Sequence, residues 1–324
     1  MKYRKLGNSE LLVSSVSLGT WKFENERDSV NYLNICTSAF EKGVNFFDTS
    51  NNYDFGNAEK FLGKLSKKLG RGKLIIGTKC FYPLPENPYL RGLSEKSIIS
   101  SVETSLKNLN TNYIDLIQCH RPDPEVPIEE TIGAMQKLKE QGKIRYWGVG
   151  MNTAARLTET ALMASMSQHA RPVSHQHVYN MFNRTAEAEV LQYGHKYGMG
   201  LLAYSPLAQG VLTNKYNRGS IPKNSRAAGE SRGGMWDFSF DKIEKADRIA
   251  RLCEQHSLTP SAVALAWCLR RSEVSSVITF CTNNTQLKEN LSASDYSLDA
   301  SLLGEIEKIL GNSPVNQYTN QAII

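Results

Sequence analysis

Short apolar runs alternate with longer amphipathic stretches from one end of the chain to the other. Residues 3 to 13 read as a small β-hairpin turning at Gly7-Asn8-Ser9, a cluster of turn formers between two apolar-polar alternations. Val16 to Gly19 is a first core strand, with Thr20 and Trp21 at its exit. Val30, Leu33, Thr37 and Phe40 share one helical face, and Gly43 ends that helix. Val44 to Phe47, β-branched and aromatic, is the second strand; it delivers Asp48, with Tyr53 in the loop beyond. Residues 57 to 69 can be helical, and Leu74 to Lys79 is the third strand.

The alternation goes on. Ser94 can cap a helix whose face is Ile98, Val102 and Leu106, and Ile114 to Cys119 is a strand ending on His120. Pro127 suits a first helical position, Ile128, Ile132, Met135 and Leu138 form the next stripe, and Gly142 closes it. Ile144 to Val149 is strand five, and a helix over 153–167 follows. Strand six lies at Val173–Val178, a helix at 185–197, and strand seven at Gly200–Tyr204. Residues 206–240, rich in Gly, Ser, Asn and Arg, form a long loop of the kind that carries function. Two helices come next, the second opened by Thr259-Pro260, then strand eight at Val277–Phe280 and two more helices up to Gly311.

Eight βα units with buried-type strands imply a parallel sheet covered by helices. At 324 residues with no break in composition, the expected fold class is α/β. Its form is a closed (β/α)8 TIM barrel with an N-terminal β-hairpin and a long loop after strand seven, one domain over residues 1–324. The first βα turn, Gly19-Thr20-Trp21-Lys22-Phe23, lacks the glycine fingerprint of a doubly wound dinucleotide fold.

Composition narrows the function classes. A net charge of +6 from scattered Lys and Arg weighs against dedicated nucleic-acid or membrane binding and suits an anionic cofactor. Six single cysteines, without a CxxC pair, fit buried thiols in a reducing compartment better than disulfides or zinc. No signal-type segment or membrane-length apolar run is present, so a cytoplasmic protein without membrane insertion is expected.

In a barrel, chemistry gathers at the C-terminal ends of the strands. Three adjacent strands end in Asp48 (with Tyr53 beyond), Lys79 and His120. Singly, each reads as a rim charge or a hydrogen-bonded core residue; together they must share one mouth. A lysine held against a phenol favours the phenolate, so a lowered Tyr53 pKa is expected, with Asp48 keeping Lys79 charged and His120 orienting a carbonyl oxygen. No metal-ligand set and no nucleophile elbow competes.

These four residues resemble the tetrad of the aldo-keto reductases, NAD(P)H-dependent carbonyl reductases on a (β/α)8 barrel. The resemblance covers nearly the whole chain and is strongest to the branch containing the β-subunits of voltage-gated potassium channels. It rests on Arg91-Gly92-Leu93-Ser94, Arg121-Pro122-Asp123-Pro124, Tyr146-Trp147-Gly148, Ser205-Pro206-Leu207-Ala208, Ala264 to Arg270 and Gly311-Asn312-Ser313-Pro314. By the resemblance Tyr53 is the general acid of an NADPH-dependent reduction of small aldehydes or ketones. It places Thr20 and Trp21 near the nicotinamide and substrate, Gln176 on the carboxamide and Tyr204 stacked on the ring. Ser205, Leu207, Gln209, Lys215 and Arg226 would line the pyrophosphate and adenosine phosphate, and Thr282, Gln286, Glu289 and Asn290 the adenosine end. Trp21, Phe23, Tyr53, Phe81, Tyr82 and the 206–240 loop would line an aromatic or apolar mouth for the substrate.

Two departures stand out. After strand five the family usually has Ser followed by Asn or Arg, where this chain has Gly150-Met151. After strand eight it usually has Gly and a small residue, where this chain has Phe280-Cys281. Weaker or altered cofactor binding is expected from both. His120 favours an enzyme, because the animal channel subunits carry Asn at this position. The chain starts almost at the barrel, so no pore-plugging extension is expected. The alternative reading is an NADPH-binding regulatory subunit of a channel-like membrane partner, with homo-oligomers as in that branch.

Overall fold

The computed structural model describes residues 1–23, 25–83, 88–216, 220–223, 225–229 and 238–312, apart from the side chains of 25–28. Ser313 and Pro314 of the C-terminal motif and much of the 206–240 loop lie outside the described residues.

A hairpin of β1 (Tyr3–Lys5) and β2 (Leu12–Ser14) precedes a closed parallel barrel. The barrel strands are β3 (Val16–Gly19), β4 (Phe46–Asp48), β5 (Ile75–Cys80), β6 (Ile114–Cys119), β7 (Ile144–Gly150), β8 (Ser174–Val178), β9 (Gly200–Tyr204) and β10 (Val274–Thr279). They run in chain order around the ring, and β10 closes on β3 through Val277 opposite Val16. Helices separate them: α1 (Asn25–Glu41), α2 (Asn57–Leu69), α3 (Glu95–Leu109), α4 (Ile128–Glu140) and α5 (Ala154–Met166), then α6 (Thr185–Ala188) and α7 (Val190–Lys196). After β9 come α8 (Phe240–Gln255) and α9 (Pro260–Leu269), and after β10 come α10 (Asn284–Ser292) and α11 (Ala300–Leu310). The fold is therefore the expected (β/α)8 barrel with its N-terminal hairpin. None of the described helices is long and apolar enough to cross a membrane.

Two apolar layers hold it. The larger packs the outward faces of the strands against the helices, for example Ile98 and Val102 of α3 and Ile132 and Met135 of α4. The smaller fills the bottom of the barrel, where Leu6, Leu11 and Val13 of the hairpin segment meet Phe46, Leu116 and Leu202. The hairpin thus plugs the end opposite the strand C-termini. All six cysteines are buried and unpaired.

Two local expectations are corrected. The buried face of α1 is Tyr32, Ile35, Cys36 and Ala39, while Val30 is 67% exposed. Tyr32 prevails because its ring stacks on Phe61 and its hydroxyl donates to Gly19 O at 2.7 Å. The helix expected over 185–197 breaks at Glu189, whose φ of −146° leaves the helical region.

Candidate active site

Asp48 ends β4 and Lys79 lies one residue before the end of β5, both turned into the barrel. Lys79 Nζ donates to Asp48 Oδ1 at 2.6 Å and to Thr49 O at 2.7 Å. Both side chains are almost sealed from solvent, 2% and 5% exposed. Asp48 Oδ2 accepts from Gln176 Nε2 at 3.0 Å and from Gln118 Nε2 at 3.4 Å. Gln118 is held in turn by Ser174 Oγ on β8. A Cβ at Gly148 would lie 2.0 Å from that hydroxyl, so only glycine lets this polar layer cross β7. The carboxylate is buried but fully partnered, the condition under which an interior ion pair persists.

Tyr53 opens a single 3-10 turn, Tyr53–Gly56, in which Asp54 and Phe55 have φ of 45° and 54°. Left-handed backbone at two non-glycine residues is strained, about 1–3 kcal/mol each, and such strain clusters at ligand-binding turns. The turn brings the Tyr53 ring centroid 5.1 Å from Lys79 Nζ, with Trp21 edge-on at 4.9 Å and His120 at 5.9 Å. The expected lowering of the Tyr53 pKa is reversed here. Burial pushes the phenol well above its usual 10, and the charges of Asp48 and Tyr82 push the same way. The Lys79 charge, shared with Asp48 and Thr49, does not outweigh the burial. Lys79 is itself lowered by burial, against the pull of Asp48.

His120 follows β6. Its Nδ1 lies 3.2 Å from Ser50 Oγ, and Tyr82 meets the ring edge-on at 4.9 Å. Burial depresses the imidazole well below 6.5, helped by Lys79 and Arg121, so it is neutral at physiological pH. Sequence reasoning missed Ser50, Thr49 and Gln118. Their types are ordinary for turns and strands, and only the register of β4 to β6 reveals their partners.

The other candidates fall into two groups. Thr20, Trp21, Gln176 and Tyr204 face the same mouth. Thr20 Oγ1 bonds Thr49 Oγ1 at 2.7 Å, and Trp21 is 37% exposed beside Tyr53. Tyr204 is raised to about 12 by burial and by Tyr53, while Arg121 lowers it. The second group forms the rim after β9 and β10. Ser205, Ala208 and Gln209 have φ of 50°, 48° and 57°, and Gly210 101°, a strained turn around Leu207 in which the Ala208 and Gly210 amides donate back to Ser205 O at 3.0 Å and Leu207 O at 2.9 Å. Lys215 is exposed and Arg226 half-buried, and burial lowers the latter from its usual value. At α10 the Asn283 side chain accepts from Gln286 N at 2.9 Å, and Gln286 Oε1 accepts from Thr282 N at 2.9 Å. That reciprocal cap leaves the first helical amides directed outward, a setting suited to an anion. Two adenosine-end candidates point elsewhere: Asn290 is 3% exposed and donates to Cys281 Sγ, and Glu289 accepts from Ser261 Oγ at 3.5 Å.

Both departures acquire a physical reason. A Cβ at Gly150 would sit 2.6 Å from His120 O and 3.1 Å from Cys119 O, so this backbone admits no side chain there. Met151, at φ 57°, is 44% exposed, while Asn152 Nδ2 donates to Gly150 O at 2.9 Å. Phe280 turns away onto Tyr32 of α1, ring centroids 4.7 Å apart.

Residues 15–310 match the family model described as Aldo/keto reductase family. Three relatives span nearly the whole chain. A "Probable voltage-gated potassium channel subunit beta" of Arabidopsis thaliana is 38% identical over 97% of this chain and 98% of that protein. Its namesake in Oryza sativa subsp. japonica is 36% identical with the same coverage. A "Putative voltage-gated potassium channel subunit beta" of Schizosaccharomyces pombe is 37% identical over 98% of this chain and 95% of that protein. With a closed eight-stranded parallel barrel and this match along most of its length, the chain belongs to the aldo/keto reductase family.

Proposed function

We propose that the chain is an NADPH-dependent reductase of small aldehydes or ketones, with Tyr53 as general acid. One observation carries this reading: Asp48, Lys79, Tyr53 and His120, from three neighbouring strand ends, meet at one barrel mouth around a sealed ion pair. A bound nicotinamide supplies the hydride that the carbonyl carbon takes up. Thr20, Trp21, Gln176 and Tyr204 would hold the nicotinamide half. Ser205, Leu207, Gln209, Lys215, Arg226, Thr282 and Gln286 would hold the phosphates and adenosine, and the half-buried Arg226 suits a 2′-phosphate. Glu289 and Asn290 would shape that end from behind.

Tyr53 keeps its proton at neutral pH, since burial holds its pKa high, and passes it to the carbonyl oxygen. Lys79 gives two of its three N–H groups to Asp48 and Thr49; the third, with its charge, steadies the phenolate as the proton leaves. Neutral His120 orients the oxygen from Nε2. Nε2 carries the proton when the Ser50 hydroxyl, 3.2 Å from Nδ1 and 2.7 Å from Asn52 Oδ1, turns its single hydrogen to Nδ1 rather than to the Asn52 amide oxygen.

The test is NADPH consumption with an activated aromatic aldehyde, wild type beside Tyr53→Phe. We expect a loss of about 100-fold or more in kcat with cofactor affinity kept. The names of the three relatives favour a second reading, a cofactor-binding subunit of a potassium channel that forms oligomers. Wild-type protein that binds NADPH, never turns over, and is retained by membrane fractions containing the channel would put that reading ahead.

A further inference from the structure

Arg121 stands directly after His120 at the mouth and is half-buried. Its guanidinium carbon lies 5.5 Å from the Tyr82 ring centroid and 5.9 Å from that of Phe81. Those two rings meet edge to face at 5.3 Å, and Tyr82 in turn abuts His120. Phe81 holds this position with a φ of 141°, a region that side chains rarely occupy, and its carbonyl is pinned by Gly92 N at 2.7 Å. Asn51 Nδ2 fixes the next carbonyl, Tyr82 O, at 3.1 Å. The backbone that carries the platform under the guanidinium is therefore held at both residues.

The charge on that platform has no acidic partner among the described residues. Asp123, the acid closest to it in sequence, spends its two oxygens on Leu93 N at 2.8 Å and Glu125 N at 3.0 Å. Other arginines of this fold, such as Arg71 with Asp115 or Arg270 with Glu187, form ion pairs. Cofactor phosphates do not account for Arg121 either. In the ring order β10-β3-β4-β5-β6-β7-β8-β9, β6 lies four strands from β10 in both directions, across the mouth from Thr282 and Gln286. Arg121 instead shares its side of the mouth with His120, and its charge acts on both His120 and Tyr204.

We propose that Arg121 is the receptor for a carboxylate on the substrate, and that the enzyme prefers oxo acids, aldehydes or ketones that carry a carboxylate beyond the reacting carbonyl. The proposal rests on the reductase reading above and narrows its substrate class. With the carbonyl oxygen between Tyr53 and His120, the carboxylate end reaches the guanidinium fork, and the Phe81–Tyr82 pair covers an aryl or short aliphatic spacer. A guanidinium is suited to this because its planar donors match both carboxylate oxygens while its face stacks on the rings.

The experiment compares carboxybenzaldehyde, in its ortho and para forms, with the corresponding neutral methyl esters, in wild type, Arg121→Met and Arg121→Lys. Charge-assisted hydrogen bonds of this kind predict a wild-type preference of about 10- to 100-fold in kcat/KM for the acid, carried mainly by KM. In Arg121→Met the acid-to-ester ratio should fall to near one, and Arg121→Lys should restore part of it. A ratio that stays high in Arg121→Met, or a wild type indifferent to the carboxylate, overturns the proposal. If no aldehyde is reduced at all, the reductase reading fails separately. Calorimetric binding of the same acid and ester to NADPH-loaded Tyr53→Phe and Tyr53→Phe/Arg121→Met protein then decides Arg121: acid binding tighter by the same factor, lost with the arginine, supports it, and equal binding rejects it.

Discussion

Removing the Lys79 ammonium leaves Asp48 as a charge at the bottom of a closed mouth, with two glutamine amides but no cation. Lys79→Met should therefore destabilise the protein by about 3–5 kcal/mol, read by urea unfolding. Adding Asp48→Asn to it should recover part of that loss, because the stranded charge disappears. Ser50→Ala is a milder test. It removes the partner of His120 Nδ1, which should cost about 1 kcal/mol of orientation, or roughly fivefold in kcat, while urea stability changes little. The tetrad itself was legible in the sequence, since apolar strands ending in Asp48, Lys79 and His120 need only be counted. Ser50 and Gln118 were not legible: a serine in a turn and a glutamine in a strand carry no signal until β4, β5 and β6 are set in register.

At the scale of elements, the exit of β7 is pressed against the exit of β6. Gly150→Ser would restore the polar group common in the family, but its Cβ would meet His120 O at 2.6 Å. The expected outcome is a lowered melting temperature and reduced turnover, with no gain in NADPH affinity by fluorescence titration. A tighter-binding, equally stable variant would mean that the β6–β7 contact yields freely. Periodicity located the barrel helices but ran α6 and α7 together across Glu189 and misread the face of α1. Val30, Leu33, Thr37 and Phe40 form an apolar stripe as good on paper as Tyr32, Ile35, Cys36 and Ala39. The second stripe wins because Tyr32 finds an acceptor on Gly19 and an aromatic neighbour in Phe280, contacts between segments far apart in sequence. The same ring explains why Phe280 need not crowd a ligand.

For the whole molecule, acid is the expected weakness. Burial holds His120 and His175 well below 6.5 in the fold and His177 at about 4. The unfolded chain takes up protons at about 6.5, whereas the native state refuses them. Their contribution to stability is thus complete above that pH and is lost as pH falls through the folded values. His175 is the extreme case: both ring nitrogens lack a hydrogen-bond partner, and Gly194 is the residue that makes room for the ring. His175→Leu should flatten the fall in unfolding free energy by up to about 1.4 kcal/mol per pH unit as pH drops below about 6.5, measured by denaturant titration. The barrel architecture was readable throughout because eight similar units repeat one pattern, whereas single buried histidines leave no trace in periodicity. Among the described tryptophans, Trp147 and Trp267 are sealed in the core, while Trp21 is partly exposed and edge-on to Tyr53. Of these three, Trp21 at the barrel mouth is the one placed to emit at the red edge. Anything that settles beside Tyr53 should quench it, so occupancy can be followed optically even where no product forms.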